Sequence, residues 1–257
     1  MFSFFAFIFG LIVGSFLNVV ILRLKNGERF NAARSYCPHC RGQLAWYDNM
    51  PVVSFLALRG HCRYCRKPIS WQYPLVELAC GLLWLGAYLK FGAPALLAGT
   101  SFLPALTFGL FGSVLLTLFV FDFRWYILPD EVTLPGLGLA LLFNILAGYD
   151  WHLLVVLAAV GSAWFWIQHA ISRGRWVGAG DIRLGAMVGA MVGSWPGLLV
   201  AFMLTYLGGS LVGLGLLATG RKHWQSQLPL GTFMTVATVI TLLWGLPLWQ
   251  WYLGFLW

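Results

Sequence analysis

Four of the five cysteines stand as two C-x-x-C pairs, Cys37-Pro-His-Cys40 and Cys62-Arg-Tyr-Cys65, with twenty-one residues between the pairs. Each pair can present two thiolates across a tight turn, and two such knuckles at this distance can close on one tetrahedral zinc ion. Iron can take the same ligands. Disulfides and a dithiol redox centre are the rival readings. A reducing cytoplasm disfavours the first, and the second lacks the βαβ pattern of a thioredoxin-like domain. His39 and His61 sit beside the ligands and read as solvated neighbours or substitutes. Cys80 falls inside an apolar run and reads as a small core residue. The stretch that carries the two pairs is too short for a large core, so a bound metal would supply folding free energy.

The second constellation is acidic. Of eight acidic residues, Asp122 directly follows the apolar run Thr117-Leu-Phe-Val-Phe121, and Asp181 closes Gly178-Ala-Gly180-Asp181. Carboxylates in or at a membrane are costly, which makes each a functional hypothesis. Two facing carboxylates can share a proton, one acting as base on a water and the other as acid toward a carbonyl. Glycines before Asp181 would let an extended backbone approach it. The plain alternatives are structural: Asp181 as a helix N-cap, Asp122 paired with Arg124, Asp130 capping a helix after Pro129. Glu28 and Asp48 lie in a polar loop, and Asp150 reads as a turn residue after Gly148-Tyr149.

The elements that must position these groups are membrane helices. Sixty per cent of the 257 residues are hydrophobic and 9% charged, which excludes an ordinary soluble enzyme. Sixteen Lys and Arg against eight Asp and Glu give +8, but cations so sparse report membrane orientation and not nucleic-acid binding. An all-α polytopic membrane protein follows, with eight segments of suitable character at about 2–22, 74–90, 95–121, 132–148, 152–171, 182–195, 197–219 and 231–255. The first has no preceding cation and no cleavage signature, so it reads as a retained helix and not a removed signal. The sixth is short, and Gly185, Gly189 and Gly193 give it a smooth packing stripe. Nine of the sixteen cations lie between Arg23 and Tyr73, and eight crossings would put fifteen on that side against Lys90 alone. The termini are therefore expected outside the cytoplasm and the cysteine loop inside it. The organisation expected is a first helix over 1–22, a four-cysteine loop over 23–73 and a helical bundle over 74–257.

Several motifs together resemble one family. Leu44-Ala-Trp-Tyr-Asp48-Asn-Met-Pro51, Leu58-Arg-Gly60, the cysteine pairs and Tyr73-Pro-Leu-Val-Glu77-Leu look like the cytoplasmic loop of bacterial type IV prepilin peptidases, and Gly14-Ser-Phe-Leu-Asn18-Val in the first span resembles the same family. Asp122 with Leu128-Pro-Asp130, and Gly178-Ala-Gly180-Asp181, resemble that family's two aspartate motifs, the second being the G-x-G-D signature of intramembrane aspartic proteases. The resemblance implies an inner-membrane endopeptidase that removes the basic leader of type IV prepilins and pilin-like secretion subunits after a glycine. It makes Asp122 and Asp181 the catalytic pair, with no cofactor for hydrolysis. It also implies N-methylation of the new terminus with S-adenosylmethionine in members that keep the cysteine loop. The chain lacks a Rossmann-type glycine fingerprint, so a methyl donor would need another pocket, with Asp48 and Glu77 as candidates to hold the amine or the cofactor. Alanine between the glycines of G-x-G-D and Arg183 where lysine is frequent are small departures. Prepilin and pseudopilin precursors and membrane lipid are the partners implied. Two other classes compete: a proton-coupled transporter using the membrane aspartates, although no convincing internal repeat is present, and a noncatalytic assembly platform.

Overall fold

The computed structural model describes residues 2–28, 35–219 and 228–255. Among them the regular structure is helical throughout, and the only β features are two isolated bridges in the cysteine loop. The chain divides into two compact units, Met1–Leu116 and Thr117–Trp257.

In the first unit, α1 (Phe2–Lys25) packs along α3 (Gln72–Ala87). The approach is close: a methyl group on Gly14 would stand 2.7 Å from the Glu77 Cα. The loop between these helices holds a 3₁₀ turn, Trp46–Asn49, and the short helix α2 (Val53–Ala57). A π-turn, Tyr88–Gly92, carries α3 into α4 (Ala93–Ala98), so one helical rod runs from Gln72 to Ala98. The sequence places the end of that span at about residue 90 and the start of the next at about 95. Pro94 instead falls at the first turn of α4, where no backbone N–H is required, and the π-turn before it absorbs the ring. The break comes later, at Gly99, whose left-handed backbone (φ 65°) closes α4. Helix α5 (Leu103–Trp125) follows and continues from the first unit into the second.

The second unit contains α6 (Asp130–Leu146), α7 (Trp151–Ser172), α8 (Ala179–Val192), α9 (Trp195–Ala218) and α10 (Leu230–Gly254). Helix α8 packs against α6, α7, α9 and α10 and is the most enclosed of them. The glycine stripe is used as its spacing suggests: a methyl group on Gly189 would lie 2.2 Å from the Leu157 carbonyl oxygen, and one on Gly161 would lie 2.3 Å from that of Gly185. Backbone therefore meets backbone along the α7–α8 seam. Gly193, expected to continue the stripe, instead ends α8 in the left-handed region at φ 61°.

Among the described residues a helix lies at each of the eight expected positions, but only six are long and apolar enough to cross a membrane. Helix α6, with 17 residues, reaches about 26 Å, and α8, with 14, about 21 Å, both under the roughly 30 Å of a hydrocarbon core. The six suffice for a multi-pass membrane protein. The two short helices are also the ones whose first turns carry Asp130, Glu131 and Asp181.

Candidate active site and metal centre

Asp122 lies three residues before the end of α5 and is buried. Its Oδ2 accepts the backbone N–H of Thr232 and, at 2.8 Å, the Thr232 hydroxyl. Thr232 stands in the first turn of α10, whose leading N–H groups have no partner within the helix, and the carboxylate supplies one. Gly231 makes room: a methyl group there would be 3.0 Å from the Asp122 Cγ and 3.2 Å from Leu128 Cδ1. Asp122 is thus anchored by α10 and not by Arg124.

Asp181 is buried in the first turn of α8. It is the third residue inside the helix, not its N-cap, and its Oδ2 reaches back to accept the Gly178 N–H at 2.9 Å. The turn that delivers it is held from α7: His169 Nδ1 lies 2.7 Å from the Val177 carbonyl oxygen, which the ring can donate to, and Arg173 and Gly174 reverse the chain in left-handed conformations. A methyl group on Gly180 would stand 3.0 Å from Leu128 Cβ. Leu128 therefore fills the space beside both Gly180 and Gly231, which brings the two aspartate segments together around one side chain. Asp181 lies within electrostatic reach of Asp122. Each carboxylate has one oxygen fixed by a helix-start N–H and, among the described residues, one oxygen without a bond.

Thr232 and Gly231 escaped sequence reading. The available signal was a Pro229-Leu-Gly231-Thr232 start to the last apolar run, with a hydroxyl beside a glycine at the end expected to share the depth of the aspartates. Asp130, expected as a cap, occupies the first position of α6 and forms an ion pair with Arg183 of α8. Asp150, expected as a turn residue, is the N-cap of α7 and accepts the His152 N–H at 3.0 Å.

In the first unit the four cysteines converge, with all four sulfur atoms within 4.8 Å of one another. The Sγ atoms of Cys37 and Cys65 are 3.9 Å apart. A tetrahedron with metal–sulfur bonds of about 2.3 Å has edges of about 3.8 Å, so the cluster fits one such ion. The knuckles are copies of one turn. Cys37 N–H bonds the Gly42 carbonyl at 3.0 Å and Cys62 N–H that of Lys67 at 2.9 Å. Arg41 and Arg66 occupy the same left-handed position, with φ of 57° and 59°. Bridges Tyr36–Gln43 and His61–Pro68 close the two bases. Burial pushes the Cys37 thiol up to about 11. Burial also raises Cys62, but bonds from the backbone of Cys65 and Tyr64 and from the side chains of Cys37 and Cys65 together outweigh it and bring that thiol down to about 7. Cys80 is fully buried in α3, beside Ser113.

Asp48 accepts Arg63 Nε at 2.9 Å and so ties the 3₁₀ turn to the second knuckle. Glu77, buried in α3, accepts the Val52 N–H at 2.8 Å and bonds Ser15 of α1. On the same stretch Asn18 donates to the Tyr73 carbonyl at 3.0 Å, while its own Oδ1 is buried without a partner among the described residues.

Residues 8–91 match the family model for the bacterial peptidase A24 N-terminal domain, and residues 109–217 match that of the type IV leader peptidase family. A prepilin leader peptidase/N-methyltransferase of Myxococcus xanthus (strain DK1622) is 39% identical over 263 residues, covering 97% of this chain and 75% of the relative. Those of Aeromonas salmonicida (strain A449) and Aeromonas hydrophila are 34% and 35% identical, each covering 96% of this chain and 92% of the relative. The chain belongs to the type IV leader peptidase family. No solved structure matches it. The first matched region of this leader peptidase family member contains all four clustered cysteines, and the second contains Asp122 and Asp181. Its Thr232 lies beyond both.

Proposed function

We propose that this chain is a prepilin leader peptidase in which Asp122 and Asp181 form the hydrolytic pair, and that it also N-methylates the terminus it exposes. The observation that supports the first half is the convergence on Leu128 of Gly180 and Gly231, which flank Asp181 and the Asp122 anchor, with each carboxylate holding one oxygen fixed and one left to act. One carboxylate accepts a proton from water as its oxygen attacks the scissile carbonyl, and the other donates a proton to the carbonyl oxygen. The diol collapses as one of its hydroxyls returns a proton to the carboxylate that acted as acid and the leaving nitrogen takes the proton held by the other, which restores the shared-proton pair. Glycines at 178 and 180 leave the approach to Asp181 clear of side chains.

The cysteine cluster supports a structural zinc held by Cys37, Cys40, Cys62 and Cys65, since sulfur spacing and duplicated turns suit a closed tetrahedral site. Zinc there supplies folding free energy to a loop with few buried apolar residues.

For the methyl half, S-adenosylmethionine supplies an electrophilic methyl group on a cationic sulfur. The acceptors that suit a cation are the Glu77 carboxylate and the orphaned Asn18 Oδ1. These two would hold the cationic end of the donor or the substrate amine. Asp48 is a weaker choice because Arg63 already occupies it. The positive bias of the loop supports a cytoplasmic cysteine loop in a bacterial inner membrane, where a basic leader and an apolar pilin helix meet the enzyme. Pseudopilin precursors offer the same junction. The test is mass spectrometry of a prepilin incubated with purified enzyme: leader loss reports cleavage, and one added methyl group reports transfer. An unchanged substrate mass would refute both halves, and an added methyl without leader loss would refute the first.

A further inference from the structure

Helix α8 meets α7 at Gly185 and Gly189, where backbone approaches backbone and the Phe165 ring packs on Gly185, and small residues at such a contact offer few side chains to interlock along the helix axis. Something else must hold its position along its own axis, and α6 grips it at both ends. At one end the Asp130 carboxylate pairs with the Arg183 guanidinium, two residues beyond Asp181. At the other, the buried Asn144 amide donates to the carbonyl oxygens of Ala190 at 2.6 Å and Met191 at 3.1 Å. Those carbonyls belong to the last turn of α8, where no later helical N–H remains to reach them, and Gly193 turns the chain away directly afterwards.

We infer that Asn144 and Asp130 are positioning residues that set the axial register of α8 and thereby the placement of Asp181; this rests on the assignment of Asp181 to the hydrolytic pair. A general acid or base displaced by about 1 Å can lose about a hundredfold in rate, so a helix that carries one on a smooth face needs such stops. Neither residue touches the reacting atoms, so the loss should fall on kcat.

The experiment compares wild type with Asn144→Leu, Asp130→Asn, Asp130→Arg, the exchanged pair Asp130→Arg with Arg183→Asp, and Asp181→Asn. Prepilin cleavage kinetics are measured beside hydrogen exchange of the α8 amides in detergent. Asn144→Leu keeps volume and removes the donor. It should lower kcat by about tenfold or more with KM within about twofold, and speed exchange in the last turn of α8. If that variant does not fold, Asp130→Asn, at a half-exposed end, carries the same expectation for the first turn. The exchanged pair should recover most of what Asp130→Arg loses, with the recovery in kcat and not in KM. Wild-type kcat in Asn144→Leu or Asp130→Asn overturns the inference, whether or not exchange quickens. So does an exchanged pair no better than Asp130→Arg. Full cleavage by Asp181→Asn would instead refute the catalytic assignment, and the exchange data would still report whether α6 pins α8.

Discussion

Replacing Thr232 by Val isolates one bond in the candidate site. The hydroxyl donates to Asp122 Oδ2 at 2.8 Å, while the Thr232 backbone N–H bonds the same oxygen independently of the side chain. Valine keeps the branched shape at a buried position, so no cavity opens, and Gly231 still leaves room for the carboxylate. What is lost is one hydrogen bond to an ionisable group, worth about 1.5–3 kcal/mol when the carboxylate is charged. If that bond holds Asp122 in its working geometry through the transition state, the loss appears as a fall in kcat of about ten- to hundredfold. KM should change little, because Thr232 meets the carboxylate and not the substrate. Thr232→Ser retains the hydroxyl and should recover most of the rate. The assay is initial-rate cleavage of a purified prepilin in detergent. Wild-type kcat in Thr232→Val would refute the claim that α10 organises Asp122, and equal damage in Thr232→Ser, which keeps the hydroxyl and lacks only the methyl group, would assign the effect to side-chain packing and not to the bond with Asp122.

Other predictions concern the loop and the packing. Metal binding needs all four thiols as thiolates, and Cys37, pushed up to about 11 by burial, is protonated in the metal-free loop at neutral pH. Cys62, brought down to about 7, gains its proton as pH falls through that value. The zinc affinity of metal-stripped protein should therefore rise from about pH 6 to about pH 8 with proton release, measured by competition with a chromophoric chelator, and a flat profile would contradict four-thiolate ligation. Cys37→Ser or Cys62→Ser should lose metal and impair methylation of leader-free pilin more than cleavage, and equal loss of both would make the loop a support for the protease. Gly189→Ala puts a methyl group 2.2 Å from the Leu157 carbonyl oxygen. Overpacking of this kind costs about 1–3 kcal/mol and should lower the thermal midpoint in detergent, whereas Gly138→Ala, which meets nothing within 4 Å, should not.

The carboxylates and cysteines were legible because their chemistry is written in short range: C-x-x-C is a turn, and an aspartate after Thr117–Phe121 is conspicuous in an apolar run. The all-helical membrane class was legible for the same reason, since composition and run length settle it. What stayed hidden depends on distant pairing. Thr232 meets Asp122 across 110 residues of sequence, and a threonine at the start of a helix carries no mark of which carboxylate it will serve. Asp130 looked like a cap because Pro129 precedes it, and only the packing of α6 on α8 delivers Arg183 to it. The span expected to end near residue 90 runs on to Ala98, because the π-turn at Tyr88–Gly92 lets Pro94 open α4. Asn144 reads as an ordinary polar residue near a helix end until α8 presents its last carbonyls.

The central claim is that Asp122 and Asp181 perform the hydrolysis, and it is tested most directly by Asp122→Asn and Asp181→Asn. Asparagine keeps the size of each side chain and an oxygen that can accept from Thr232 or Gly178, so the helix starts that the carboxylates serve should persist. The proton-transfer capacity alone disappears. Intact-mass measurement of a prepilin incubated with each purified variant, at matched folding and metal content, should show the leader still attached in both. Release of the leader by either variant at a rate near wild type would contradict the assignment.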